Sequence, residues 1–458
     1  MRNTTGLTVT SISLFLALSA GAAAQGPTTA VNFNHLTHPR NQMGFMHGAL
    51  GAYWNSSSNK AVENRAKLLN PLIWRGNEAL WSLNTKTITR TGAMPIYTLS
   101  AGWQAVLPNP KRGCSELFWN RNLPFQNWAV WKKWVSKQAD HFAALRPRGD
   151  IWIDIWNEPD HPKFWPVERR DKCYSSHLVD KNGGKWLKTF LVAEQVIRAR
   201  LGRRAKILGP SVSSKAMQWS SRLVNYCARY HCRLDALAWH ICGGGQSGID
   251  RIAPEVRRAK RLMKVDHNWK SVLGTNGQVM MTEYASNSMH LRPAGLLSYW
   301  YALERSLVAA SALSIWKEPD GSKLAGMLTA AGRPKPLWWA ARAYAAGRRW
   351  RVASSTNNGY WSILASRHGI TNGPEFLLGN NHTRRFKIKV LLRELDGLGF
   401  RHYIRVDVIN LARTRSGVVM NKLPKGRRSS WIRVVHGSAA LYLSPAPGSA
   451  LLVSIHGH

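Results

Sequence analysis

Short apolar runs alternate with segments of helical periodicity between about residue 43 and residue 345. Eight of these runs predict buried β-strands, and longer amphipathic segments between them predict helices. The predicted strands are residues 44–48, 72–75, 95–99, 151–156, 206–209, 236–240, 279–282 and 312–316. The clearest helical segments are residues 128–145, 186–201, 254–264 and 296–308.

Strands that alternate with helices predict an α/β fold with a parallel sheet. Eight such units in about 300 residues suit a closed (β/α)8 TIM barrel. An open, doubly wound sheet is the alternative, although no glycine-rich phosphate loop follows the first predicted strand. The sequence therefore favours the barrel.

The pattern changes near Gly347, after which short apolar runs are separated by Gly, Pro and Asn turns. The runs are residues 360–365, 386–392, 403–409, 431–434 and 450–455. Short strands without long helices predict a β-sandwich, to which residues 26–42 are a candidate further strand. We expect a catalytic barrel over residues 25–345 and an accessory C-terminal β-sandwich over residues 346–458.

The first 24 residues have the pattern of a secretory signal peptide. Arg2 supplies a positive charge, residues 7–20 are mostly apolar, and three alanines at 22–24 form a small-residue cleavage site. A membrane anchor is the alternative, but the apolar run is shorter than the roughly 20 residues that span a bilayer. No later stretch is long and apolar enough, so we expect a secreted or periplasmic protein without a transmembrane segment.

The sharpest chemical signal is the run Ile-Trp-Ile-Asp-Ile-Trp-Asn-Glu-Pro at residues 151–159. An apolar strand ends there in Asn157 and Glu158, and Pro159 stops it. Catalytic groups of a barrel lie at the carboxyl ends of its strands. A carboxyl beside the neighbouring Trp rings is expected to have a raised pKa, which suits a general acid. The simpler alternative is a strand followed by an ordinary turn.

A second strand repeats this design. The run Val-Met-Met-Thr-Glu-Tyr at residues 279–284 delivers Glu283 at the end of an apolar strand. Two glutamates on different strands fit the two-carboxylate mechanism of glycoside hydrolysis, in which one protonates the leaving oxygen and the other attacks the anomeric carbon.

With both motifs in place, residues 43–345 resemble the large clan of retaining (β/α)8 glycoside hydrolases. The resemblance implies that Glu158 is the acid/base, that Glu283 is the nucleophile and that Asn157 binds the sugar 2-hydroxyl. The layout of barrel and sandwich is most similar to glycoside hydrolase family 39 and its relatives. These include β-xylosidases, α-L-iduronidases and bacterial endoglycosidases that trim biofilm polysaccharides.

Further positions match the clan residue by residue. Arg75 ends the second predicted strand, where the clan has an arginine that holds the nucleophile. His240 is similar to the first member of a His-x-Tyr pair, and Trp316 stands where the clan has a platform under the cleaved sugar. The chain departs from the pattern at Cys242, where the clan has the Tyr that hydrogen-bonds the nucleophile; Tyr284 is a candidate to compensate.

Other polar and aromatic residues near the predicted strand ends are candidates to line the cleft. These are His47, His161, Trp165, Glu318 and Asp320. Each candidate also has a purely structural interpretation, such as an ion pair, a buried histidine or simple core packing.

The charge of the chain is strongly positive, at +40 from 64 basic and 24 acidic residues. Residues 346–458 hold 18 of the basic and 4 of the acidic residues, which leaves 46 and 20 before them. The excess is spread along the chain, so a nucleic-acid partner is not expected. A polyanionic substrate and a generally basic surface both remain open. The 22 tryptophans supply core, and exposed ones can stack on sugars.

The five cysteines leave at least one thiol unpaired within the chain. Cys227 with Cys232 and Cys114 with Cys173 are candidate pairs. No metal site or cofactor is expected, because no Cys-x-x-Cys pair is present. We expect a polysaccharide or oligosaccharide substrate, and a carbohydrate-binding protein without catalysis is the main alternative. The sugar, the linkage, endo or exo action and the oligomeric state stay open.

Overall fold

The structure is a computed structural model, and it describes most of the chain. The described residues are 27–40, 42–46, 57–76, 85–100, 123–162, 164–167, 179–243, 245–285, 292–314, 326–329, 331–357, 359–412, 419–423 and 428–457. The expected signal peptide lies outside them. The first described strand, β1 (Thr28–Leu36), precedes the barrel and belongs to a second sheet.

Eight parallel strands close into a barrel, as the sequence predicts. Neighbouring strands pair in chain order, and Phe45 on the first barrel strand lies opposite Leu313 on the last, which closes the ring. The strands are β2 (Gly44–Met46), β3 (Ile73–Gly76), β4 (Met94–Thr98), β5 (Ile151–Asp154), β6 (Ala205–Val212), β7 (Ala236–Ile241), β8 (Gln278–Tyr284) and β9 (Ala310–Leu313).

Side chains that point into the barrel form a small separate core of alternating large and small residues, including Ile96, Trp152, Leu208, Ala238 and Met280. They fill the space below the carboxyl ends of the strands, so the described part of the barrel interior is packed. Polar groups can therefore gather only above this layer, at the carboxyl ends of the strands.

Helices surround the barrel and bury their apolar faces against the outside of the strands. They are α1 (Ser57–Leu69), α2 (Thr85–Arg90), α3 (Trp128–Leu145), α4 (Gly184–Leu201), α5 (Ala216–Tyr230), α6 (Gln246–Val265), α7 (His267–Leu273), α8 (Pro293–Arg305) and α9 (Pro336–Gly347). Helix α6 begins eight residues before the predicted start at Pro254, which lies inside it. Its buried stripe, which includes Ile249, Ile252 and Val256, continues across the proline and stabilises the longer helix.

The second sheet has nine strands, and its other eight strands follow the barrel in sequence. They are β10 (Arg351–Thr356), β11 (Trp361–Ser366), β12 (Glu375–Asn380), β13 (Ile388–Arg393), β14 (Tyr403–Leu411), β15 (Arg428–Arg433), β16 (Ala439–Leu443) and β17 (Ala450–Gly457). The order across the sheet is β15-β14-β17-β12-β11-β10-β1-β13-β16. Alternate residues from both halves of this order meet in one apolar core, which gives the expected β-sandwich.

The strand β1 confirms the hypothesis that residues before the barrel join the sandwich. It pairs antiparallel with β10 and parallel with β13. The other face of the sheet packs on the barrel, since Leu377, Leu411 and Leu452 belong to the same apolar cluster as the barrel helices. The two parts thus share a continuous apolar core.

Two further expectations concern export and membranes. Cys227 at the end of α5 forms a disulfide with Cys232, whereas Cys242 is a free thiol. Cys114 and Cys173 lie outside the described residues. No described helix combines the length and the apolar character needed to cross a bilayer.

Candidate active site

The carboxyl ends of β3 and β5 are joined by a buried network around Arg75. Its guanidinium lies 2.6 Å from Oδ2 of Asp154 and donates a hydrogen bond of 2.9 Å to Oδ1 of Asn157. Asp154 also accepts a hydrogen bond of 2.8 Å from the Ser211 hydroxyl. Arg75 and Asp154 are almost fully buried, so each stabilises the charge of the other where water cannot.

The backbone around Glu158 turns sharply as the chain leaves β5. Glu158 has a φ of +47°, a left-handed conformation that is uncommon for a residue with a side chain. Two hydrogen bonds hold the turn. The backbone N–H of Asn157 donates to the Ser100 hydroxyl, and the backbone N–H of Glu158 donates to the carbonyl of Ser211. This held turn fixes the Glu158 carboxylate at the barrel mouth, and strained backbone of this kind is frequent at functional sites.

The two predicted catalytic glutamates meet at His240. Nδ1 of His240 lies 2.9 Å from Oε1 of Glu158 and 3.6 Å from Oε2 of Glu283. One carboxylate oxygen of each glutamate, the histidine nitrogen and the Cys242 sulfur all lie within 4.8 Å of one another. Arg75 approaches Glu283 at 3.8 Å. The structure therefore brings together five of the residues that the sequence singles out.

Cys242 occupies the place beside Glu283 that the clan resemblance assigns to a tyrosine. Burial, the negative charges of Glu283 and Glu158, and a hydrogen bond with Glu283 raise the pKa of the Cys242 thiol well above its ordinary value. The thiol therefore stays protonated and serves as a weak donor to the Glu283 carboxylate.

The pKa of Glu158 corrects one expectation. Burial raises this pKa, but the hydrogen bond and charge of His240, with smaller contributions from His161 and Arg75, outweigh burial and lower it below the ordinary value. The Trp156 ring packs against Trp131 and Trp165. The predicted direction of the shift was therefore wrong.

This cause of the shift leads to a prediction for the pH profile. If Glu158 must be protonated in the free enzyme, kcat/KM falls as pH rises through its lowered pKa, so we expect an acidic optimum. His240→Asn removes the charge that lowers this pKa and leaves the burial that raises it. The alkaline limb of kcat/KM should then move to higher pH, whereas an unmoved limb would show that His240 does not set it.

Two aromatic candidates lie away from the cleft. Tyr284 follows Glu283 on β8, so its side chain points to the opposite face of the strand. It is fully buried and accepts a hydrogen bond of 2.9 Å from Trp300 on α8. Tyr284 therefore neither compensates for Cys242 nor contacts substrate. Trp165 is also fully buried, and its indole donates a hydrogen bond to Asp180, so it does not line a subsite.

His161 stays close to the site, because its backbone amide closes the turn on the Glu158 carbonyl and its charge acts on the Glu158 carboxylate. His47, Trp316, Glu318 and Asp320 lie outside the described residues. Their predicted contributions to the cleft therefore remain predictions.

The polar residues that support the site were not predicted from the sequence. Asp154 stands out in retrospect as an acid inside the apolar strand at 151–156, where an unpaired carboxylate would be costly to bury. Ser100 and Ser211 carry no comparable signal, because serines after strands are ordinary turn residues. Their roles depend on contacts between neighbouring strands.

The buried pair of Arg75 and Asp154 gives a stability prediction. Asp154→Leu leaves the Arg75 charge without its main partner, so the free energy of unfolding should fall by about 3–5 kcal/mol. The double variant Arg75→Met with Asp154→Leu removes both charges and should recover much of this loss. Urea unfolding of the three proteins measures the difference, and equal losses in the single and double variants would contradict it.

The four clustered side chains are also of the types that bind zinc, namely His, Cys and carboxylate. However, the Arg75 guanidinium lies 3.8 Å from Glu283 and places a positive charge against the position a cation would take. The cluster therefore fits a pair of carboxyl groups held by neighbouring donors better than it fits a metal centre.

Comparison by sequence finds no matching family model and no matching curated protein. Comparison of folds finds many solved structures that the chain resembles. A GH39 enzyme from Xanthomonas axonopodis pv. citri shares 12% identity, with 96% of this chain and 100% of that chain covered and a TM-score of 0.64. A monomeric β-xylosidase from Caulobacter crescentus shares 12% identity, with 94% of this chain and 100% of that chain covered and a TM-score of 0.62.

A third structure, of N2152 from Neocallimastix frontalis, shares 16% identity over 94% of this chain and 100% of that chain, with a TM-score of 0.68. At these identities the likeness shows the fold. It confirms that the (β/α)8 barrel with its β-sandwich is the architecture of GH39 enzymes and related glycosidases, in agreement with the resemblance drawn from the sequence motifs.

Proposed function

We propose that this protein is a secreted retaining glycoside hydrolase, with Glu158 as acid/base and Glu283 as nucleophile. The observation that carries the proposal is the approach of these two carboxylates to within 4.8 Å at the carboxyl end of the barrel. Retaining enzymes hold their carboxyl groups roughly 5–5.5 Å apart, whereas inverting enzymes leave room for a water between them.

In the first step, Glu283 attacks the anomeric carbon while Glu158 donates its proton to the glycosidic oxygen, which leaves as an alcohol. In the second step, Glu158 takes a proton from water, the water oxygen bonds to the anomeric carbon, and the Glu283 carboxylate is released. Asn157 accepts from Arg75 through Oδ1, so its amide nitrogen is left to donate to the sugar 2-hydroxyl. His240 hydrogen-bonds the Glu158 carboxylate, which it orients, and its Nδ1 lies 3.6 Å from Glu283.

Proton NMR of the first product tests this mechanism. A panel of neutral and acidic polysaccharides and nitrophenyl glycosides first identifies a substrate. The initially released sugar should have the anomeric configuration of the substrate, and a 2-deoxy-2-fluoro glycoside should add one glycosyl unit to the peptide containing Glu283. Release of the opposite anomer would exclude the double displacement.

A carbohydrate-binding protein without turnover is the second candidate, and Cys242 is the observation that favours it. A thiol is a weaker donor to Glu283 than the tyrosine of the clan. Cys242→Tyr distinguishes the two candidates. A wild-type protein that binds glycans without cleaving them, and gains turnover with this substitution, would be a binding protein on the same fold.

The charge of +40 leads us to propose an acidic glycan as substrate. A basic protein raises the local concentration of an anionic polymer, and salt screens this attraction beyond about 8 Å at physiological ionic strength. For an acidic polymer, KM should therefore rise several-fold between about 0.02 M and about 0.5 M salt while kcat stays constant. A neutral polymer of matched linkage is the control, and equal salt dependence for both would contradict the proposal.

A further inference from the structure

Most tryptophans whose surroundings the structure describes are buried, and two of them are largely exposed. Trp350 lies at the end of the barrel domain and is 45% exposed, while Trp431 on strand β15 is 55% exposed. Tyr403 on the neighbouring strand β14 is 49% exposed. Exposed aromatic rings are costly to leave in water, so two of them on adjacent strands require an explanation.

The register of the sheet places these rings on one face. Trp431 lies opposite Arg405, and Tyr403 lies opposite Arg433, two residues further along each strand. All four side chains therefore share one face, and Tyr403 and Trp431 occupy diagonal positions whose backbones are about 7–8 Å apart. We call this set of Tyr403, Arg405, Trp431 and Arg433 the aromatic–arginine face.

A third strand extends the face. His456 on β17 lies opposite Arg405 on the side away from Trp431, so histidine, arginine and tryptophan form a row across three strands. Asp407, two residues after Arg405 on β14, contacts members of this row. Its carboxylate lies 3.4 Å from Arg405 and 3.1 Å from His456, and it accepts a hydrogen bond of 2.7 Å from Ser429. Arg433 has no carboxylate partner among the described residues.

The position of the face is set by the barrel. Further along the same side of β14 and β17, Ile409, Leu411 and Leu452 are buried against the barrel helices. Tyr403, Arg405 and His456 stand at the opposite ends of these strands, where the sheet extends beyond the barrel into solvent. The face is thus rigidly attached to the barrel but is not covered by it.

We propose that the aromatic–arginine face is an accessory binding surface for an acidic polysaccharide, distinct from the active site. The two rings offer apolar platforms for the C–H faces of sugar rings, and the two arginines offer planar donors for uronate or sulfate groups. Asp407, Ser429 and His456 supply acceptors and donors for sugar hydroxyls. In its choice of an acidic glycan the inference rests on the proposed function.

Single-stranded nucleic acid is the competing occupant, since aromatic rings and arginines also bind stacked bases and phosphates. The carboxylate of Asp407 favours the glycan, because it is a hydrogen-bond acceptor on the same face as Arg405 and Ser429. Every ring of a polysaccharide offers hydroxyls that can donate to it, whereas the deoxyribose-phosphate backbone of single-stranded DNA offers none between its ends.

Binding of intact polymer by the full chain tests the proposal. The Glu283→Gln protein is titrated with polygalacturonate, chondroitin sulfate, neutral dextran and single-stranded DNA by calorimetry. We expect Trp431→Ala and Arg433→Gln each to weaken binding of the acidic glycans about tenfold. Trp350→Ala and Arg203→Gln are matched controls at exposed positions elsewhere and should leave binding unchanged. Trp431→Tyr should keep most of the affinity, because it keeps a ring.

Three outcomes would overturn the proposal: the same affinity in Trp431→Ala and Trp350→Ala, equally tight binding of dextran, or tighter binding of DNA that is lost with the same substitutions. Hydrolysis of a nitrophenyl glycoside by the otherwise wild-type Trp431→Ala protein should be unchanged. Binding that depends on Trp431 in a protein that hydrolyses no glycoside would support this surface and reject the proposed function. A protein that hydrolyses glycosides but binds polymer equally well without Trp431 would support the proposed function and reject this surface.

Discussion

Glu283→Gln should lower kcat on every glycoside by about four orders of magnitude or more, because no group remains to form the covalent intermediate. The amide is nearly the same size as the carboxylate and keeps one oxygen facing His240. The folded structure and the binding of substrate should therefore be retained, and the loss should fall on kcat. Steady-state kinetics on both a nitrophenyl glycoside and the natural polymer measures it.

Two comparisons make the Glu283 result specific. Glu394→Gln changes an exposed glutamate on the sandwich in the same way and should leave kcat unchanged. Azide added to Glu283→Ala should restore turnover of an activated substrate and give a glycosyl azide of inverted configuration. A Glu283→Gln protein that still turned over natural and activated substrates at wild-type rates would remove Glu283 from the reaction.

Glu158→Gln should produce a loss that depends on the leaving group. For the natural polymer, the leaving alcohol needs a proton, and loss of general acid catalysis should cost about 10²–10⁴-fold in kcat/KM. A nitrophenol leaves without that help, so the first step on a nitrophenyl glycoside should be much less affected. The second step, which needs Glu158 as base, then becomes limiting and gives a burst of nitrophenol.

The configuration of the glycosyl azide product distinguishes the role of Glu158 from that of Glu283. In Glu158→Ala, azide replaces the base-assisted water and should give a glycosyl azide of retained configuration, the opposite stereochemistry to that expected with Glu283→Ala. Glu394→Gln, at an exposed position on the sandwich, is again the control. Equal losses on activated and natural substrates would contradict the assignment of Glu158 as acid/base.

The barrel could be predicted from the sequence because each of its strands is a short apolar run between helical segments. Seven of the eight predicted strands agree with the structure to within a few residues, and the helix Trp128–Leu145 has the predicted bounds. The last strand, predicted over residues 312–316, begins two residues earlier, at Ala310, and residues 315 and 316 lie outside the described part of the chain.

The sandwich was predicted less completely. Strands β10, β12 and β16 were not predicted. β10 is mostly polar and β12 has only three consecutive apolar residues, whereas β16 (Ala-Ala-Leu-Tyr-Leu) is apolar throughout and was missed although its sequence is typical of a strand. Glu375 and Asn380 begin and end a strand that is buried throughout, and their polar groups are satisfied by Thr371 and by backbone carbonyls of distant segments. Partners of this kind cannot be read from local pattern.

For the site, the glutamates were predictable because each ends an apolar strand, and all such ends meet at one mouth of a barrel. The direction of the Glu158 pKa shift could not be predicted, because it depends on the contact between His240 and the carboxylate, which comes from a different strand. Tyr284 is a different case: adjacent residues on a strand face opposite sides, so the predicted position of Glu283 at the active site already indicated that Tyr284 faces away from it.

The pairing of β1 has a consequence for the order in which the chain can fold. Thr28 lies opposite Lys389 and Thr29 opposite Thr356, so the first strand must wait for the last quarter of the sequence before either of its edges is paired. Contacts of such long separation form slowly, because a large loop must close before they are made. A chain truncated after the barrel would leave this strand as an open edge that can pair with other copies. Aggregation, rather than a soluble and isolated catalytic domain, is therefore the result expected from removing the C-terminal strands.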